Sequence, residues 1–285
     1  MPTIIRQATP ADAEVAGKIC YEAFLAINTA HNFPPDIPNA EMAVGFCGIL
    51  FSHPGFYCVV AEDNGRVIGS NCLDERSSIF GIGPITIDPT AQNKGVGRML
   101  MQAVLDRTKE RNAPGVRLVQ AAFHNRSLSL YTTLGFKVRE PLAVLAGTTV
   151  LRQIDGCNVR EAQMSDLTAC NELCTRIHGH DRGGELADGI AQKTAFVVER
   201  NRRITGYTSV MGFFGHSVGE TNQDLMALIA ATPQFHGPGI FVPSRNTELF
   251  QWCLAQGLRV TQPMTLMSVG LYNEPAGVFL PSVTF

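Results

Sequence analysis

The sequence predicts a layered α/β fold present twice in tandem, and three observations predict it. The run Pro84-Ile85-Thr86-Ile87-Asp88-Pro89 reads as a short strand stopped by proline, and the glycine-bearing turn Gln92-Asn93-Lys94-Gly95-Val96-Gly97-Arg98 then leads into helical periodicity. Two extended runs, 56–62 and 66–71, flank Asp63-Asn64-Gly65, which carries hairpin turn chemistry. Beyond residue 157, three stretches echo stretches of the first half in the same order, the mark of a duplicated unit.

In chain order, Ile4-Ile5-Arg6-Gln7 reads as a strand, with Thr9 or Asp12 near a helix cap and Pro10 in the first turn. Val15, Ile19, Ala23 and Phe24 then form a helical stripe, the proline-rich segment 32–38 interrupts it, and residues 42–51 resume an apolar helix. After the hairpin and the glycine turn, Val96, Leu100, Ala103 and Val104 recur at helical spacing, with no proline before Pro114. Residues 116–123 read as a strand. The segment 125–136 reads as a short helix, with Asn125 as N-cap and Gly135 as C-cap.

The glycine turn has a chemical meaning. Glycines 95 and 97 let the backbone approach a ligand closely, and the first amides of the following helix lack internal partners, so they favour an anion. Lys94 and Arg98 add charge beside it. The third glycine of a dinucleotide fingerprint is replaced by Leu100, and no Walker sequence occurs, so a nucleotide-binding oxidoreductase is disfavoured. The pattern present is Q/R-x-x-G-x-G/A, with Gln92, Gly95 and Gly97 in its defining places. It resembles the pyrophosphate loop of the GNAT N-acetyltransferase superfamily. A second signature, Asn125, then Leu130-Tyr131, then Leu134-Gly135-Phe136, follows after one helix and one strand, and the resemblance covers residues 1–147.

The resemblance implies mixed, twisted sheets flanked by helices, acetyl-CoA as cosubstrate and no metal. It implies that Ile85, Thr86 and Ile87 hold the thioester, that residues 92–98 (Gln92, Asn93, Lys94, Gly95, Val96, Gly97 and Arg98) hold the pyrophosphate, and that Asn125 meets the pantetheine arm. Tyr131 would protonate the departing thiolate. The expected reaction is direct attack by an amine of a small molecule or peptide within a ternary complex. The alternative is a CoA-binding or sensing protein without turnover.

A general base is not evident. No glutamate occurs in 79–87, where many members of that family have one, which leaves Asp74, Glu75, Asp88 and His124 as candidates by position alone. The acceptor pocket is expected on the loops 28–45 and 72–81. In the second half, His178, His180, Asp181, Arg182, Phe213 and Phe214 are candidates to line a pocket facing the first; His178-Gly179-His180 lacks further ligands at metal spacing.

Residues 148–157 are expected to link a domain at 1–147 to a degenerate copy at 158–285. There Arg160 to Asp166 echoes Arg6 to Asp12, Phe196 to Gly206 echoes Val59 to Gly69, and Asn246 to Val260 echoes Asn125 to Val138. No pyrophosphate pattern lies between Gly206 and Asn246, and Cys253 stands where the count from Gly257 would place the tyrosine. The expected role of this copy is to close the cleft, cover apolar surface or form a homodimer.

Composition sets outer bounds. A formal net charge of −2 over 285 residues gives no basic surplus for nucleic acid or an anionic membrane. No leader or bilayer-length apolar run is evident, which reads as cytoplasmic. The 8 cysteines contain no C-x-x-C, so neither a disulfide framework nor a zinc ribbon is indicated.

Overall fold

The computed structural model describes residues 2–148 and 151–284. Both halves begin with the same knot of charges. Strand β1 (Ile4–Gln7) and helix α1 (Ala13–Ala30) are tied by Arg6, whose guanidinium donates to Asp12 at 2.8 and 2.9 Å and to Glu62 at 2.8 Å. Strand β7 (Asn158–Glu161) and helix α5 (Leu167–His178) are tied by Arg160 to Asp166 and Glu199 in the same way. Each aspartate also accepts from the backbone three residues earlier, Thr9 or Gln163, closing a capping box at 2.8 Å.

The remaining elements of the first half are α2 (Ala40–Ser52), β2 (Phe56–Asp63), β3 (Arg66–Asp74), β4 (Phe80–Ile87), α3 (Val96–Glu110), β5 (Gly115–Ala121), α4 (Asn125–Thr133) and β6 (Lys137–Ala146). The second half continues with α6 (Gly183–Ala191), β8 (Phe196–Arg200), β9 (Arg203–Thr208), β10 (Ser217–Gly219), α7 (Asn222–Ala230), β11 (Ile240–Pro243), α8 (Thr247–Ala255), β12 (Arg259–Gly270) and β13 (Val278–Leu280). Both hairpins turn through two residues of positive φ, Asn64-Gly65 and Asn201-Arg202, the twist that suits a two-residue connection. Helices α4 and α8 end alike: Gly135 and Gly257 adopt φ of 92° and 89°, and the next amide bonds back to the carbonyl of Tyr131 or Cys253.

Two sheets result, one of eight strands in the order β1-β2-β3-β4-β5-β12-β6-β11 and one of five in the order β13-β10-β9-β8-β7. The larger sheet shows that the halves exchange strands. Strand β12 of the second half lies between β5 and β6 of the first, and β6 lies between β12 and β11. The cores follow suit. Met267 of β12 packs with Leu100, Val104 and Tyr131, while Ala143 and Leu145 of β6 pack with Leu225, Leu249 and Cys253. Segment 147–157 therefore joins β6 to β7 but does not separate two closed sheets. The pleat of β2 sends Val59 and Ala61 toward α3, and Cys58 and Val60 toward α1 and α2, so both faces of the first half are covered.

Candidate active site

The site begins where two parallel strands part. Strands β4 and β5 pair only through Phe80 with Val116 and Gly81 with Arg117. From Ile82 onward β4 keeps its pairing with β3 but has no partner on its other edge, so unpaired amides and carbonyls face the gap. The peptide Gly83-Pro84 is cis, and the β3–β4 register shifts between Asn71 and Leu73, opposite these residues. Strand β4 thus starts at Phe80, earlier than the proline-flanked run suggests, because a bulge accommodates Pro84 within it.

The gap opens into a cavity of about 1100 Å³ lined by Ile85, Thr86 and Ile87 on one side and by Leu118 to Ala121 on the other. Gln92, Asn93, Gly95, Val96, Gly97 and Arg98 close one end, and Tyr131 lies in the wall. Gly95 caps α3 at φ +86°, a left-handed conformation that favours glycine, and no side chain bonds the helix N-terminus. A Cβ at Gly97 would come within 3.0 Å of Ile87 Cδ1. No acidic residue occupies the first turn, and Arg98 stands in it. These features fit a pyrophosphate on the helix amides and an extended amide-bearing arm between the parted strands.

The equivalent place in the second half is filled by the chain itself. Helix α7 is capped by Thr221, whose backbone and hydroxyl donate to Asp224 at 2.8 and 2.9 Å, and Asp224 also accepts from Arg200. This N-terminus is closed by a capping box from within the chain, and it carries an acidic residue in its first turn where α3 has none.

Two sequence expectations change. Helix α4 is capped by His124, whose Nδ1 accepts from the Ser127 amide at 3.2 Å; Asn125 is the exposed first residue of the helix and does not line the cavity. Lys94 is likewise exposed and outside the lining. Arg126, which no motif singled out, lines the cavity and donates to Gln92 Oε1 at 2.9 Å and Asn93 Oδ1 at 3.3 Å, fixing the turn.

Tyr131 is buried, with its ring 6.1 Å from that of Phe136, and burial pushes its phenol above the ordinary value, which keeps it protonated. Burial, aided by the nearby Arg126 charge, lowers the His124 imidazole and keeps it neutral. Asp74 pairs with Arg76, Glu75 with Arg107, and Asp88 with Arg66 and Thr90; none of the three lines the cavity.

The far end of the cavity is built from α1, the 31–39 loop, α2 and the second half, which supplies Phe213, Phe214, Phe235 and Met264. The 28–45 loop contributes as expected, but the 72–81 loop does not: Arg76 turns instead to Asp188 of α6 at 2.7 Å. His178, His180, Asp181 and Arg182 also lie away from the cavity, His178, His180 and Arg182 among buried residues of the second half. Among the described residues no group of three or more His, Cys, Asp or Glu could hold a metal ion, and no helix is long and apolar enough to cross a membrane.

Residues 21–136, which include the turn, the parted strands and Tyr131, match the model of the acetyltransferase (GNAT) family. That stretch of the chain belongs to the GNAT superfamily. The second half lacks a match to that family model. A mycothiol acetyltransferase from Nocardia farcinica is 38% identical over 63 residues, 22% of this chain and 21% of that protein, so the match spans about a fifth of the relative's length. Solved structures resemble the chain over nearly its whole length. A candidate acetyltransferase from Pyrococcus horikoshii superposes with a TM-score of 0.73 at 18% identity, covering 97% of this chain and 94% of that one. A GCN5-related N-acetyltransferase from Sphaerobacter thermophilus gives 0.63 at 16% identity, covering 95% and 96%. A tandem GNAT protein of the clavulanic acid pathway gives 0.57 at 13% identity, covering 99% and 100%. These likenesses establish the tandem fold.

Proposed function

We propose that this chain is an acetyl-CoA-dependent N-acetyltransferase acting on the amine of a small molecule or peptide, with all its chemistry in the first half. The observation that carries this reading is the continuity of one cavity, from the uncapped N-terminus of α3, between the parted strands, past Tyr131, to a chamber closed by the second half. A bound acetyl-CoA would supply an activated acetyl group as its thioester.

The residues divide the work. The α3 amides, Arg98 and Arg126 bind phosphate charge; the free edge of β4 offers backbone donors for the arm and for charge developing on the acetyl oxygen. Tyr131 holds a proton that a departing thiolate, with an ordinary pKa near about 8.5, would accept. The second half serves to complete the acceptor chamber.

The test is thiol release from acetyl-CoA over an amine panel, with Tyr131→Phe alongside. The expected result is turnover reduced about 10²- to 10⁴-fold, the span of general acid catalysis, with acetyl-CoA affinity retained. Acetyl-CoA binding without thiol release across the panel would contradict the reading.

A further inference from the structure

The chamber at the far end of the cavity is apolar on nearly every side, with Phe24, Ile27, Met42, Phe46, Phe214 and Phe235 among its walls. Among the described residues one carboxylate lines it, Asp36. Gln262 Nε2 donates to Asp36 Oδ1 from 226 residues away, reaching it from the exchanged strand β12 at the register shift between Val260 and Gln262. A β-bulge there re-aims a side chain. A carboxylate accepts several hydrogen bonds, so Asp36 retains capacity beyond this one.

Two buried amides of the cavity lining have unused capacity. Asn28 is 1% exposed, lines the cavity next to Asp36, and its Oδ1 meets no donor. Gln120 is 5% exposed and also lines the cavity; its Oε1 accepts from Ser127, while its Nε2 meets no acceptor. Buried polar atoms are nearly always paired, so these mark where a polar group of a ligand belongs. The ligand's remaining surface must suit phenylalanines and branched aliphatic chains.

We infer that Asp36 accepts the proton of the acceptor amine, and that the acceptor is a primary amine on an aromatic or branched apolar body. This rests on the acetyltransferase reading. The amine enters as its ammonium and finds its carboxylate partner, the only one among the described residues of the lining, in Asp36. Asp36 takes one proton, and the nitrogen lone pair forms a C–N bond to the acetyl carbon as the C–S bond breaks. The sulfur leaves as thiolate and takes the nitrogen's second proton by way of Tyr131, and Asp36 releases its own to solvent. His124 does not compete for the role. Its Nδ1 lone pair is engaged by the Ser127 amide, so the neutral ring carries its proton on Nε2.

Burial raises the Asp36 carboxyl above its ordinary value, against the opposing hydrogen bond of Gln262, which makes it a stronger base. The other titratable groups lining the cavity are Cys20 on α1, Arg98 on α3, and His124, Arg126 and Tyr131 at or on α4; none adds negative charge at neutral pH.

The test uses the full chain with three probes: 2-phenylethylamine, its neutral isostere 2-phenylethanol, and spermidine. The wild-type protein should acetylate 2-phenylethylamine with a kcat/KM at least tenfold above that for spermidine, and calorimetry should find 2-phenylethylamine bound more tightly than 2-phenylethanol. Asp36→Asn should keep acetyl-CoA affinity and weaken 2-phenylethylamine binding at least tenfold. Its rate deficit should shrink as pH approaches the amine's own pKa, because the neutral amine then needs no base, and Asp36→Glu should restore part of the rate. Unchanged amine binding and rate in Asp36→Asn, or a preference for spermidine, would overturn the inference while leaving the acetyltransferase reading intact. Acetyl-CoA binding with no amine acetylated would overturn both. The substrate comparison needs only the wild-type protein, so it decides even if Asp36→Asn fails to fold.

Discussion

Tyr131 and His180 show burial acting on single residues with opposite chemical results. In Tyr131 it protects a proton, which a general acid requires. In His180, burial reinforced by the positive Arg117 holds the imidazole down at about 4, so the folded protein resists protonation. The unfolded chain, with an ordinary histidine value near about 6.5, binds the extra proton first. Stability from this group is therefore present above about pH 6.5 and is lost as pH falls toward about 4, with no further loss below. His178 and His216, both lowered by burial, act in the same direction. Urea midpoints measured from pH 7 to 4 should fall, and His180→Gln should fall less; parallel slopes would contradict the assignment. Legibility at this scale follows locality. Tyr131 is found by counting along one helix from Gly135. Arg126 carries no pattern, and Asp36 sits in a proline-rich break whose partner, Gln262, is 226 residues distant.

At the scale of the element, α3 and α7 are the same helix with opposite fates. Both follow a strand, but α7 closes its N-terminus with Thr221 and Asp224, whereas α3 begins at a left-handed Gly95 with no side-chain cap. Gly95→Val should leave the fold in place and lower acetyl-CoA affinity at least tenfold, because an L-residue there costs about 1–2 kcal/mol and displaces the amides. Isothermal titration checks this, and unchanged affinity would count against the turn as the anion site. The sequence displayed both helices and the missing pattern in the second. It misassigned the α4 cap to Asn125 because asparagine is the commoner cap, whereas His124 reaches the Ser127 amide in this chain. The second half's helix does take its cap from Asn246, as the echo suggests.

The whole molecule is held together by exchanged strands. Periodicity shows that a strand is half-buried, but not which neighbour buries it, so the exchange of β6 and β12 was not legible in the sequence. A fragment ending at residue 148 would lose β12, leaving β5 and β6 without the strand between them and Met267 absent from the core around α3. Expressed alone it should be insoluble or unfolded by circular dichroism, and coexpression with residues 151–284 should recover a folded complex. A soluble, cooperatively melting fragment would contradict this account. The same exchange brings Gln262 to Asp36 and Phe213, Phe214 and Phe235 to the chamber, so the second half shapes the site despite having no anion turn of its own.

The central claim, that the turn and the parted strands form an acetyl-CoA site, is tested most directly by thermal unfolding of the full chain with and without acetyl-CoA, with NADH as the control. At a hundredfold excess over its dissociation constant the ligand should stabilise the native state by about 2.7 kcal/mol, and NADH should leave the transition where it is. No shift at saturating acetyl-CoA would contradict the account.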